Sequence, residues 1–231
     1  MKQGFVKVAS ATPRIRVADP VYNAQVICEQ AKEAAEHGAK IVVFPELCIT
    51  GYTCNDLFLQ ELLLEKAKEA LLTIAEETGQ LETLFLVGLP VDKDGRLYNV
   101  AAVLYRGRIL GMIPKKNIPM YAEFYEGRHF TPGEETVTEY RLGKQVIPFG
   151  SNLLFRCEEL PELILGCELC EDLWVAEPPS TSHALMGATV IANLSASNET
   201  VSKDDYRTLL IKASSARLLC GYIYTLSLIH I

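Results

Sequence analysis

Apolar runs and amphipathic stretches alternate along the chain. Val6 to Ser10 reads as a first strand. From Asn23 to His37, Ile27, Ala31, Ala34 and Ala35 fall on one helical face, and Gly38 supplies the stop. Ile41-Val42-Val43-Phe44 is apolar at every position, the pattern of a strand buried on both faces, and it ends at Pro45-Glu46. Asp56 offers an N-cap for a Leu-rich helix running to Thr78 and stopping at Gly79.

Leu84 to Leu89 and Asn99 to Tyr105 are strands joined through the Asp94-Gly95 turn, and Arg106-Gly107 leads into Ile109 to Ile113. Residues 117–150, rich in Pro, Gly and aromatics, read as loop with short strands. Leu163 to Leu169 is a strand ending at Cys170, Ser182 to Met186 belongs to a helix, and Thr189 to Leu194 is another strand. A helix from Lys203 to Leu219 precedes a final apolar segment. With no linker or repeat, the pattern predicts one α/β domain with a mixed sheet or two packed sheets.

Composition narrows the function classes. The 231 residues carry 22 basic and 29 acidic side chains, a net charge of −7, which argues against a nucleic-acid partner. Lys7 interrupts any signal-peptide core, so the seven cysteines are expected to be reduced thiols in a cytoplasmic protein rather than a disulfide framework. No ligand spacing points to a metal. The apolar, uncharged C-terminal stretch, residues 218–231, is too short to span a bilayer.

Three strands end abruptly in a reactive residue: IVVFPE at Glu46, ILGMIPK at Lys115 and LILGCELC at Cys170. Strand ends are held by the sheet yet open to a crevice. A thiol is a weak nucleophile until a base takes its proton, and an ammonium stabilises an oxyanion. Glu, Lys and Cys therefore form a chemically coherent set. The plainer reading is also open: buried Cys is a common core residue, and Glu or Lys at strand ends are usually solvated.

The surrounding words sharpen this. PELCITGY around Glu46, PKKNIPMYAEFYE around Lys115 and CEDLW around Cys170 resemble, in order, the three signature blocks of the nitrilase, or carbon–nitrogen hydrolase, superfamily. PELCITGYTCNDLF, YAEFYEGRHFTPG and NLSASNETVSKDDYR resemble its branch formed by the N-terminal glutaminase domains of bacterial glutamine-dependent NAD synthetases. The likeness runs from about residue 4 to about residue 224. It implies a four-layer α-β-β-α sandwich and hydrolysis of glutamine through a cysteine thioester. Ammonia would pass to a C-terminal synthetase domain, and that second domain, not this one, would use ATP and Mg. The resemblance also implies a homo-oligomer for the full-length form.

Carried over by position, Glu46 is the general base and Cys170 the nucleophile. Lys115, selected over Lys116 by the family word of Lys, two variable residues, Leu or Ile, then Pro, stabilises the oxyanion with the backbone N–H of Glu171. Tyr121, Glu126, Ser197 and Lys203 would recognise the amino-acid end of glutamine, with Phe124 and Trp174 lining the pocket. Lys203 would pair the α-carboxylate, and Glu126 would face the α-ammonium or support Lys115. Solvation for Lys203, and loop packing for Tyr121 and Phe124, are the plainer alternatives. His37, His129, His183 and His230 lie in no recognisable catalytic word, although His183 is near Cys170 and is open to a pocket or a packing role. Two other functions stand beside glutamine hydrolysis: an amidase on another small amide or nitrile, and a non-catalytic module.

After CGYIY, where the family continues with a small-residue segment and further strands, this chain reads TLSLIHI. The expectation is a domain over 1–224, an atypical tail over 225–231, a sandwich incomplete at its C-terminal end, and no synthetase domain. Unpaired edges and exposed apolar surface would follow, making the chain poorly soluble or dependent on a partner.

Overall fold

The computed structural model describes residues 4–228, so residues 229–231 of the predicted tail, His230 among them, lie outside the described residues. Two sheets lie face to face between helices. Strands β1 (Val8–Ser10), β2 (Ile41–Val43), β3 (Leu84–Lys93), β4 (Arg96–Tyr105), β5 (Arg108–Pro114), β6 (Thr138–Leu142) and β7 (Gln145–Phe149) form one sheet in the order β1-β2-β3-β4-β5-β7-β6. Strands β8 (Leu154–Arg156), β9 (Ile164–Leu169), β10 (Val190–Ser197) and β11 (Gly221–Leu228) form the other, in the order β11-β10-β9-β8.

Period-two alternation builds the layers. On β3, Phe85, Val87 and Leu89 face helices α1 (Pro20–Glu36) and α2 (Glu61–Glu77) and pack on Ile27, Ala31, Leu71 and Ile74. The intervening Leu86 joins Val43, Val103 and Ile113 between the sheets, against Cys167, Leu169, Ala192 and Leu194. Helices α3 (Pro179–Leu185) and α4 (Lys203–Leu218) cover the smaller sheet. The result is an α-β-β-α sandwich.

Several boundaries differ from the sequence pattern for visible reasons. Helix α1 begins earlier because the Asp19 carboxylate accepts the Tyr22 N–H at 3.1 Å and Pro20 occupies the first turn. Asp56 caps no helix. Asn55 has a positive φ of 49° inside the 3-10 segment Tyr52–Leu59, and α2 starts only after the extended residue Gln60. The Asp56 carboxylate instead accepts two bonds from the Arg128 guanidinium, at 2.7 and 2.9 Å. Strand β10 runs on through Ser197 because Thr225–Leu228, assigned above to the tail, continue β11 in register with Leu194–Ser197. Strand β8 has no counterpart in the sequence reading. Among the described residues, no helix is long and apolar enough to cross a membrane, and no cluster of His, Cys, Asp and Glu is placed to hold a metal.

Candidate active site

Glu46 lies in a turn immediately after β2. Leu47 adopts a positive φ of 51° there, and the turn rests on the backbone of Gly88 in β3. A Cβ at Gly88 would stand 2.3 Å from Leu47 N and 2.8 Å from the Glu46 carbonyl carbon, so only glycine lets the turn lie this close. Lys115 follows β5, and its N–H bonds the Asn99 carbonyl at 2.8 Å. Its side chain is fully buried. Lys116 turns outward to Glu135, with 2.5 Å between Nζ and Oε1, so Lys115 is the inward lysine of the pair.

The Lys115 ammonium donates to Glu46 Oε1 at 2.7 Å and to Glu126 Oε1 at 2.6 Å. Asn99 Nδ2 donates to Glu46 Oε1 at 2.7 Å and reaches Glu126 Oε2 at 3.4 Å. The Ala196 N–H donates to Glu46 Oε2 at 2.9 Å, and the Tyr52 hydroxyl donates to Glu126 Oε1 at 2.7 Å. Two carboxyl groups and one ammonium are thus held together in a buried cage. Burial raises Glu46 above the ordinary carboxylate range, the Lys115 charge opposes this, and Glu126 adds to it. For Lys115, burial favours the neutral amine, but Glu126 and Glu46 outweigh it and hold the ammonium.

Cys170 closes the cage from the other sheet. It is the first residue of a 3-10 turn (Cys170–Leu173) at the end of β9, with a positive φ of 41°. That conformation is costly for a residue with a Cβ and persists only where its surroundings enforce it. Asp172 supplies the constraint. Its buried carboxylate accepts the Leu169 N–H at 3.0 Å, and the Asn117 N–H and side-chain amide at 2.8 Å each. The end of β9 is thereby tied to the segment following Lys115. Cys170 Sγ lies 3.4 Å from the Ala196 carbonyl, whose own N–H holds Glu46. Burial and the two glutamates push the thiol up, against Lys115, so the resting sulfur is protonated beside a base.

The remaining candidates gather beside this centre. Lys203 Nζ donates to Ser197 Oγ at 3.0 Å and to the Asn198 side chain, and lies 5.3 and 5.6 Å from the ring centres of Phe124 and Trp174. Tyr121 is half exposed and donates its hydroxyl to Glu171 Oε2 at 2.8 Å. Of the two orientations considered for Glu126, the one toward Lys115 is present. His183 stands apart from this group: it is buried, contacts the Ser151 carbonyl through Nε2 at 2.9 Å, and packs on Gly166. Cys167 is sealed in the inter-sheet core. Sequence patterns gave no sign of Asn99, Tyr52, Ala196 or Gly88, because each acts through sheet pairing or loop docking across the chain.

A family profile described as carbon–nitrogen hydrolase matches residues 7–226. The glutamine-dependent NAD(+) synthetase of Mycobacterium tuberculosis is 41% identical over 223 residues, 96% of this chain but 33% of that protein. The enzyme of the same description from Thermotoga maritima is 34% identical over 204 residues, 88% of this chain and 32% of its own length. A crystal structure of a glutamine-dependent NAD(+) synthetase from Cytophaga hutchinsonii superposes with a TM-score of 0.85 at 29% identity, covering 96% of this chain and 36% of that one. The NitN amidase of Nesterenkonia sp. AN1, at 19% identity, shares the fold with a TM-score of 0.73 over 96% of this chain and 78% of its own. The chain spans about a third of the length of the curated relatives it matches. With the profile running across nearly all of its length, the chain belongs to the carbon–nitrogen hydrolase family.

Proposed function

We propose that this chain is a glutamine amidohydrolase domain that works through a thioester on Cys170 and delivers ammonia to an ATP-using synthetase domain of a longer NAD synthetase. The observation that carries the reading is the buried Glu46–Lys115–Glu126 cage, joined to Cys170 through the two polar groups of Ala196.

The sulfur attacks the side-chain amide carbon while its proton passes to Glu46. Passing the proton to Glu46 leaves the charge of the buried site unchanged, whereas losing it to solvent would add a negative charge there, so Glu46 is the acceptor. Negative charge develops on the amide oxygen and is met by Lys115 and the Glu171 N–H. Glu46 returns the proton to the leaving nitrogen, and ammonia departs. A water gives its proton to Glu46 and attacks the thioester carbonyl. Glutamate is released as the proton returns to sulfur.

Glutamine rather than a neutral aliphatic amide is supported by Lys203, a cation framed by Phe124 and Trp174 and suited to an α-carboxylate. Similarity to NAD synthetases supports the destination of the ammonia. The test is twofold. A diazo-ketone analogue of glutamine should alkylate Cys170, located by mass mapping, and ammonia should be released from glutamine in strong preference to propionamide or butyramide. Labelling at another cysteine would overturn the nucleophile assignment. Equal turnover of the aliphatic amides would return the chain to the broader amidases.

A further inference from the structure

The two buried glutamates can be compared acceptor position by acceptor position. A carboxylate offers about four lone-pair positions, two on each oxygen. Oε1 of Glu46 is filled twice, by Lys115 Nζ and by Asn99 Nδ2, both at 2.7 Å. Oε2 is filled once, by the Ala196 N–H at 2.9 Å. Within a strand, the N–H and C=O of one residue project to the same side. The Ala196 carbonyl is the group touching Cys170 Sγ, at 3.4 Å, so Oε2 is the oxygen turned toward the nucleophile. Glu126 is filled on Oε1 by Lys115 and Tyr52, and on Oε2 only by the longer 3.4 Å contact from Asn99.

We propose that Asn99 is a positioning residue that makes Glu46 a base at one oxygen only, closing Oε1 and reserving Oε2 for the proton of Cys170. Asn99 is wholly buried on β4, and its amide can donate only to the two carboxylates it touches. Without it, Oε1 regains an open position facing away from the sulfur, and the carboxylate loses a bond that favours its charged form. The inference rests on proton transfer from Cys170 to Glu46 as proposed above, but not on which amide is hydrolysed.

Alkylation of Cys170 by iodoacetamide isolates that transfer. The S–H bond breaks as the proton moves to Oε2, the sulfur pair forms the C–S bond, and iodide leaves. Its rate across pH reports Glu46 in the field of Lys115 after β5, Glu126 from its 3-10 turn, Tyr52 after β2 and Tyr224 from β11. The experiment compares wild type, Asn99→Leu and Asn99→Ser, with the modified cysteine identified by mass and folding checked by thermal unfolding. Loss of a hydrogen bond to a charged group should move the midpoint upward by about one pH unit and slow alkylation below the midpoint by about ten-fold. If Asn99→Leu does not fold, the smaller serine decides. A midpoint unmoved in a folded variant overturns the proposal. If it shifts although wild type releases no ammonia from glutamine, the positioning role stands and the substrate reading falls. Glutamine turnover with an unmoved midpoint removes the positioning role alone.

Discussion

Replacing Gly88 by alanine tests whether the site depends on how closely the Glu46 turn rests on β3. The three atoms nearest the added Cβ are backbone: Leu47 N at 2.3 Å, Pro45 O at 2.7 Å and the Glu46 carbonyl carbon at 2.8 Å. No side-chain rotation relieves such contacts. Ordinary van der Waals separation begins at 3.4 Å, so the turn must withdraw by about 1 Å. Glu46 then moves relative to Asn99, Lys115 and the Ala196 N–H, all of which it contacts between 2.7 and 2.9 Å. A misplacement of about 1 Å costs on the order of 100-fold in rate, equivalent to about 2.7 kcal/mol in the barrier. Overpacking adds about 1–3 kcal/mol of destabilisation, which a domain with a stability of about 5–15 kcal/mol survives. Ammonia release from glutamine should fall about 100-fold in a protein that still unfolds cooperatively. Activity within about two-fold of wild type would refute the dependence on this contact.

Other perturbations separate the remaining roles. Glu46→Gln should abolish turnover, while in wild type kcat/KM should fall on the acid side with a midpoint above 4.5, because burial raises the group that must be ionised to act as base; a midpoint at the free-carboxylate value would oppose the assignment. Lys203→Ala should raise KM for glutamine by about ten- to a hundred-fold with little change in kcat, the signature of lost uniform binding, as a steady-state comparison would show. Glu168, pushed up to about 7 by burial while Tyr222 and the Ser180 N–H favour its charged form, binds its proton more tightly folded than unfolded. Its contribution is complete below the unfolded value of about 4.3 and is lost as pH rises through about 7, so Glu168→Gln should shrink the fall in Tm between pH 5 and 8; an unchanged slope would exclude it.

Glu46, Lys115 and Cys170 were legible in the sequence because each ends a strand whose apolar pattern is plain, and the words around them resemble a known family. Their partners were not legible by the same means. Asn99 sits inside an apolar strand like many hairpin asparagines, and only the register of β4 against β3 and β5 brings it under Glu46. Ala196 acts through its backbone, which composition cannot mark. The layers followed from alternation, whereas Asp56 misled: a local capping signal lost to a pair of charge-assisted bonds from Arg128, seventy-two residues away. Strand β8 lies at the edge of its sheet and is only partly buried, so no apolar run marks it as the run Ile41–Val43 marks β2.

The proposed chemistry draws on both sheets, with Glu46 and Lys115 fixed to the seven-stranded one and Cys170 and Ala196 to the four-stranded one. Turnover therefore gauges the alignment of two slabs whose internal hydrogen bonds do not depend on one another. A slip along the seam between them would break cross-sheet bonds such as that from Thr225 Oγ1 to the Val43 carbonyl, at 3.0 Å, and abolish the proposed activity while leaving every strand intact. In a denaturant titration, activity should disappear before circular dichroism records any loss of structure, making catalysis the more sensitive indicator of docking between the slabs.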